Sequence, residues 1–408
     1  MSQKEFRLSR RDFMKIAGVY GVTSTALAAA ALTGVITAPR LAQAANSTYE
    51  KRHKKTPFVV LKYGWSDFDL VKCFECRVGY PDFVRDLEER TDGEIRFEVY
   101  MNNSINNQGN GVAKVQQGII DMCGNSTQNA AKGGPYYNVL DIATMFPSRA
   151  SGYYFFYHPK SEKLLREPIR RQHNVEFLFS DFEFRAIALG EKFRDKPAIT
   201  NIDDLKGMKI RTAGSQLSVI TLNLLGMSPV PLAWEETLDA LRQGLVDGQE
   251  TNASSIQFGK MYPVTTQLLE IGTSPACMHT CIGTKSLEKL TGRLQDAFWE
   301  SAYLTQVIIQ LGNEAALLNT IGAMPNPPAG TTLGDNKIKF VTYDAATHQE
   351  IVKRVSPKEH PDEWKSWMER LSEWAGVPNV FDEISAIANE VPAGTLAENV
   401  EPRRWWRG

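Results

Sequence analysis

Short apolar strands alternate with amphipathic helices in the first half of this sequence. The apolar run 58–61 is flanked by polar residues, which is typical of a buried strand. Phe83, Val84 and Leu87 then share one stripe at helical spacing, and apolar residues alternate with charged ones over 95–99. Because strands joined through a helix usually run parallel, this order predicts an α/β fold with a largely parallel sheet.

A second unit of the same character begins near Val175. It contains the apolar run 175–179, a strand pattern ending at Arg211 and a helical stripe that stops at Gly244. The chain's 408 residues suffice for two or three lobes at roughly 150 residues each. A longer helical pattern over 290–322 would reach roughly 45 Å, more than one small domain needs. We therefore expect this helix to brace two lobes.

The N-terminus has the layout of an export signal. Paired Arg10 and Arg11 precede an uncharged run over 16–38 and the small-residue pattern Ala42-Gln43-Ala44. This predicts a cleavable signal peptide over residues 1–44 that resembles twin-arginine signals. A membrane anchor is the alternative, since the run is long enough to span a bilayer. The segment holds six basic and two acidic residues, so its removal changes the net charge from −1 to −5.

Three short motifs follow one another between Ile202 and Asn252. They are Asp203-Asp204-Leu205-Lys206-Gly207 leading to Ile210-Arg211, then Leu225-Gly226-Met227-Ser228-Pro229, then Leu241-Arg242-Gln243-Gly244-Leu245-Val246-Asp247-Gly248. In this order and spacing they resemble the solute-binding receptors of TRAP transporters, a family named for its dicarboxylate-binding members. The order of elements is similar to that family's from about Phe58 to Gly322.

The resemblance implies a two-lobe periplasmic binding protein fold with the long helix linking the lobes. Lobe one is expected at 57–183 with part of 277–316, and lobe two at 184–276 with part of 317–375. Residues 376–408 then form a C-terminal tail, which could dock on the body or on a partner.

In that family the two lobes close over a small organic anion, and an arginine at the position of Arg211 forks onto its carboxylate. The residue type suits the task, because a guanidinium offers paired donors and stays charged. The other ligand-binding residues that the resemblance implies are Arg185, Trp234, Thr251 and Asn252 from lobe two, and Ser66 and Asn125 from lobe one. From the residues alone, Arg211 could equally be a surface strand residue, Trp234 a core residue and Arg185 an ion-pair partner.

Glu250 is the candidate metal ligand. Some members of the family hold a metal ion beside the ligand with a glutamate at this position, and Glu250 could instead stabilise a hinge or a lobe. No other cofactor is implied. Many members carry a carboxylate near Asn125, so an amide there implies a different ligand pattern.

The cysteines offer a second interpretation. Cys73 and Cys76 are spaced for a disulfide on a helix, and they could equally be free thiols. Together with Cys277, His279 and Cys281 they could form a zinc site, although burial as small apolar residues is the alternative for that segment. Cys123 follows a strand and is expected to pack in the core.

These observations predict a periplasmic receptor, not an enzyme, that delivers an organic acid to the membrane subunits of a TRAP transporter. No nucleophile elbow, phosphate loop or zinc-protease motif occurs in the sequence, and the balanced charge argues against a nucleic-acid partner. The alternatives are a periplasmic redox or metal-dependent enzyme that uses the cysteine pairs, and a receptor of an ATP-driven importer. A dicarboxylate, 2-oxo acid, aromatic acid or sulfonate would each suit an arginine fork.

Overall fold

The computed structural model describes residues 49–66 and 79–407. The predicted signal peptide, Cys73 and Cys76 lie outside these residues, so the expectations for them stay predictions. The strands are β1 (Val59–Trp65), β2 (Ile95–Tyr100), β3 (Met122–Ser126), β4 (Val175–Ser180), β5 (Glu183–Phe184), β6 (Ala186–Leu189), β7 (Lys209–Thr212), β8 (Ser228–Pro231), β9 (Gly248–Thr251), β10 (Gln267–Leu269), β11 (Pro275–Ala276), β12 (Met278–Gly283) and β13 (Lys339–Val341).

The α-helices surround two sheets. They are α1 (Tyr80–Arg90), α2 (Gly111–Gln116), α3 (Thr127–Ala130), α4 (Arg149–Tyr157), α5 (Glu167–His173), α6 (Gln216–Leu224), α7 (Trp234–Arg242), α8 (Ala253–Phe258), α9 (Thr284–Leu287), α10 (Arg293–Ala316), α11 (Thr332–Asp335), α12 (Ala345–Val355), α13 (Pro361–Ala375) and α14 (Val380–Ala388). No helix among the described residues is both long enough and apolar enough to cross a membrane.

The first sheet is mixed, with the strand order β2-β1-β3-β12-β4. β1 pairs parallel with β2 and β3, in agreement with the helical connections between them. The prediction of a largely parallel sheet is wrong for the other half, because β12 runs antiparallel to both β3 and β4. The chain passes through the second sheet between β4 and β12, which lie about a hundred residues apart. No single helix therefore connects β12 to the strands with which it pairs.

The second sheet is also mixed and has the order β13-β10-β6-β9-β7-β8. β7, which carries Arg211, lies between β8 and β9 and runs parallel to both. β6 runs antiparallel to its neighbours β9 and β10. The two sheets are the centres of two lobes, which agrees with the two-lobe fold implied by the sequence.

The chain crosses between the lobes along a small two-stranded ribbon. β5 and β11 pair antiparallel there, with Phe184 opposite Pro275 and Glu183 opposite Ala276. β5 follows β4 of the first sheet and β11 precedes β12 of the same sheet, so these two crossings run side by side. We call residues 183–184 and 275–276 the hinge ribbon.

The long helix α10 links the two lobes. Its 24 residues span about 36 Å, and a π-helical turn continues it over Leu317–Ile321, so the regular helix is shorter than predicted. Its buried stripe packs on the first lobe, where the ring of Phe298 meets the ring of Phe83 at 5.5 Å. The π-helical turn contacts α8 of the second lobe. These contacts agree with the prediction that the long helix braces the two lobes.

The C-terminal tail packs on the body of the protein. Trp405 is only 2% exposed, and the guanidinium of Arg166 lies 4.3 Å from the centre of its ring. The Gln310 side chain of the long helix donates to the carbonyl oxygens of Ala397 (2.6 Å) and Val400 (3.1 Å). The tail therefore helps to hold the long helix in place.

Candidate functional site

A small cavity lies between the lobes, next to the hinge ribbon. The first lobe and the hinge ribbon contribute Gln108, Ser126, Asn129, Ala276, Cys277 and Met278 to its lining. The second lobe contributes Arg185, Arg211, Ala213, Trp234, Thr251, Asn252, Ser255 and Phe258. Five of the residues that the resemblance implied therefore meet here, although they come from four separate segments of the chain.

Arg211 places a buried positive charge in the lining of this cavity. Its side chain projects from the interior strand β7 and is 2% exposed. Nε donates to the carbonyl oxygen of Leu232 at 3.1 Å, whereas Nη2 is buried without a hydrogen-bond partner among the described residues. Burial lowers the pKa of Arg211 to about 10, which still leaves the group charged at neutral pH. A buried cation with an unused donor is costly, so this corner of the cavity favours an anion.

An aromatic wall lies beside this guanidinium. Trp234 begins α7, and the centre of its ring lies 5.6 Å from the guanidinium carbon of Arg211. The ring of Phe258, at the end of α8, lies 5.8 Å from that of Trp234. The cavity thus combines one charged corner with an apolar side.

Arg185 directly follows the hinge ribbon and is held by it. Its Nε donates to the carbonyl oxygen of Pro275 at 3.2 Å and lies 3.5 Å from Oε1 of Glu250. Glu250 also accepts hydrogen bonds from Gln128 (3.0 Å) and Thr212 (3.2 Å). The carboxylate of Glu250 is therefore engaged on both oxygens and lies outside the cavity lining. A neighbouring cation and two donors suit an ion-pair partner better than a metal ligand.

Asp141 is a buried carboxyl group close to this pair that no sequence pattern pointed to. It ends the 3-10 helix Pro135–Asp141 of the first lobe and is fully buried. Neither of its carboxyl oxygens has a hydrogen-bond partner in the part of the chain that the structure describes. Burial raises the pKa of Asp141 to about 7, although the nearby charge of Arg185 opposes the rise.

The two residues predicted from lobe one are absent from the lining of the cavity. Ser66 is fully buried, and its hydroxyl donates to the carbonyl oxygen of Gly124 at 3.4 Å. The Asn125 side chain donates to the carbonyl oxygen of Gln108 at 3.0 Å. Asn125 thereby positions Gln108, which does line the cavity and belongs to the polar turn ahead of α2.

Hydrogen bonds between the lobes show that this is a closed form. The backbone N–H of Gln108 donates to Glu235 (3.2 Å), the Gln128 side chain donates to Ser218 (2.6 Å) and the Ser215 hydroxyl donates to Asn138 (2.9 Å). The cavity is correspondingly tight, since the centre of a water-sized sphere can occupy only about 20 Å³ of it.

The described cysteines are all buried. The sulfurs of Cys123 and Cys281 lie 3.4 Å apart in the core of the first lobe, on directly opposed strand positions. Cys277 lines the cavity, but burial raises the pKa of its thiol well above the ordinary value. His279 packs its ring on Phe177. Over residues 49–66 and 79–407, no three His, Cys, Asp or Glu side chains are grouped so that they could hold a metal ion.

A larger, open groove lies elsewhere, between the long helix and the C-terminal tail. Its volume is about 650 Å³, and its lining includes Glu270, Glu314, Glu398 and Arg149. Arg149 is already paired with Glu314 at 2.9 Å. This excess of acidic groups disfavours an anion, so the interlobe cavity is the better candidate site despite its size.

Comparisons with known proteins agree with this geometry. The family described as bacterial extracellular solute-binding protein, family 7, matches residues 79–320. A solute-binding protein of Verminephrobacter eiseniae is 28% identical over 233 residues, which cover 55% of this chain and 65% of the relative. The 2,3-diketo-L-gulonate-binding periplasmic protein YiaO of Escherichia coli is 24% identical over 221 residues, covering 53% and 64%. The chain thus spans just under two thirds of the length of these relatives.

Solved structures show the same fold. A TRAP periplasmic solute-binding protein of Ralstonia eutropha with bound (S)-2-acetolactate superposes with a TM-score of 0.64 at 20% identity, covering 81% of this chain and 99% of that one. A TRAP periplasmic solute-binding protein of Haemophilus influenzae with bound L-gulonate also gives 0.64, at 17% identity and with coverage of 80% and 99%.

Proposed function

The chain belongs to family 7 of the bacterial extracellular solute-binding proteins, and from that premise we propose that it is the periplasmic receptor of a TRAP transporter. It captures a small organic acid between its two lobes and presents the closed form to the membrane subunits. Relatives with the same fold, some of them with bound acids, support this role. The family match favours it over a receptor of an ATP-driven importer or an enzyme.

One observation carries the proposal: the buried, partly unpaired guanidinium of Arg211 in a cavity between two lobes. An anion that binds there accepts a hydrogen bond from the unpaired nitrogen of Arg211. It also offsets part of the free energy that burial of this charge costs. The same anion contacts the first lobe only when the lobes are closed. Ligand binding therefore favours the closed form by the difference in affinity between the two forms.

The hinge ribbon supplies the moving part of this mechanism. β5 and β11 are the two strands that pass between the sheets, and Arg185 follows β5 directly. Rotation about the hinge ribbon brings Gln108 and Ser126 of the first lobe to Arg211 of the second. Export to the periplasm depends on the predicted twin-arginine signal over 1–44, which forms part of the same proposal.

Calorimetry on the purified protein tests the proposal with a panel of organic anions. Arg211→Ala is expected to weaken binding of any anion found by at least about 30-fold, because a buried charge loses its partner. Arg242→Ala, an exposed arginine of the same lobe, is the matched control and should bind normally. Near-normal affinity in a folded Arg211→Ala variant would contradict the assignment.

A further inference from the structure

The charge balance of the cavity limits the charge of its ligand. Arg185 lies 3.5 Å from the buried Glu250 and close to the buried Asp141, so its positive charge is largely offset. Arg211 keeps a buried nitrogen without a hydrogen-bond partner among the described residues. Among the described residues, Arg211 is thus the one lining cation with an unpaired nitrogen, so the part of the cavity that they form calls for one negative charge on the ligand.

The size of the closed cavity limits the length of the ligand. A water-sized sphere can be centred in about 20 Å³, and one water needs at least about 10–15 Å³ by the same measure. Hydrogen bonds between the lobes, from Gln108, Gln128 and Ser215, fix this separation. A short acid requires slight parting of the walls, whereas a six-carbon sugar acid would force the lobes apart and break those bonds.

The polar lining offers few groups to ligand hydroxyls, because its members already bond one another. Ser126 accepts from the Asn129 side chain at 2.8 Å, and the side-chain oxygen of Gln108 accepts from the Ser126 amide at 2.9 Å. Asn252 likewise accepts from Ser255. The remaining walls are apolar, with Trp234, Phe258, Ala213, Ala276 and Met278.

We infer that the ligand is a short monocarboxylate of about three to five carbons with an apolar end, because the cavity is narrow and Arg211 is the one cation with an unpaired nitrogen that the described residues place in it. This inference rests on the proposed receptor function and narrows its substrate class. The carboxylate lies on Arg211, and the alkyl end points at the aromatic wall. Polyhydroxylated acids, which lack an apolar end, and dicarboxylates are excluded from the class.

Calorimetry of the full mature chain tests the inference with two sets of probes. The first set is propionate, pyruvate and 2-oxobutyrate, and the second is succinate, D-erythronate and L-gulonate. We expect at least one acid of the first set to bind about 100-fold more tightly than every acid of the second. Equal or tighter binding of the second set overturns this inference and leaves the receptor function standing. Binding of neither set also overturns this inference, whereas the receptor function falls only if the wider panel of organic anions fails to bind as well.

A cavity-enlarging variant gives an independent readout. Met278→Ala removes a side chain that lines the cavity and should shift the preference among 2-oxo acids toward longer alkyl ends. Met368→Ala, on α13 away from the cavity, is the matched control and should keep the wild-type order. An unchanged order in a folded Met278→Ala variant overturns the assigned position of the alkyl end.

Discussion

Replacement of Asp141 by asparagine should make the protein more stable at alkaline pH. The carboxyl group is fully buried without a hydrogen-bond partner among the described residues, and burial raises its pKa from 3.8 to about 7. The folded chain therefore holds a proton that the unfolded chain has lost between those two pH values. Because the folded form binds more protons there, the free energy of unfolding falls as pH rises through this window and levels off above pH 7.

The magnitude follows from the displacement of the pKa. A rise from 3.8 to about 7 corresponds to about 4 kcal/mol once the group is fully ionised, of which about 3 kcal/mol develops between pH 5 and 8. Asparagine has nearly the same shape and never ionises. The free energy of unfolding of Asp141→Asn therefore does not fall with pH through this group. We expect the variant to exceed the wild type by about 4 kcal/mol at pH 8 and by less than about 2 kcal/mol at pH 5.

Denaturant unfolding at a series of pH values measures this difference. Asp195→Asn, at an exposed position of the second lobe, is the control and should follow the wild-type curve. Ligand affinity gives a second readout, because an ionised Asp141 offsets the positive charge of Arg185. Parallel pH curves for the wild type and Asp141→Asn would refute the reasoning.

Two further changes test closure and bracing. Gln128→Ala removes hydrogen bonds to Ser218 and Glu250 across the lobes, so it should weaken ligand binding in calorimetry by about tenfold or more while the melting temperature of the ligand-free protein hardly moves. An unaltered affinity would show that these bonds do not hold the closed form. Phe83→Ala removes the ring that packs on Phe298 of the long helix. It should lower the free energy of unfolding, measured with denaturant, by about 3–5 kcal/mol. A loss below 1 kcal/mol would mean that the helix is braced elsewhere.

Local patterns in the sequence predicted the elements well where one helix follows one strand. The stripe of Phe83 and Leu87 and the alternation over 95–99 became α1 and β2 because short-range periodicity sets which face is buried. The direction of β12 escaped prediction, since its pairing depends on residues more than a hundred positions away. The local spacing of apolar residues carries no information about pairing between strands so far apart in the sequence.

Some features of the candidate site were likewise predictable from local sequence, and others depend on tertiary packing. The position of Arg211 on a strand was predictable, and the cavity lining includes it. Ser66 and Asn125 instead make hydrogen bonds within the first lobe, because side-chain direction near the end of a strand depends on the neighbours that pack there. Asp141 has an ordinary sequence context, and only tertiary packing buries it. The narrowness of the cavity likewise depends on how closely the lobes meet.

The return of β12 to the first sheet has a consequence for biosynthesis. β12 lies between β3 and β4, so the first lobe lacks an interior strand until residue 283 has been synthesised. The long helix and the residues that anchor it, up to Trp405, come later still. A ribosome-bound chain therefore exposes an unfinished sheet for most of translation, and neither lobe can be expressed alone as one continuous fragment.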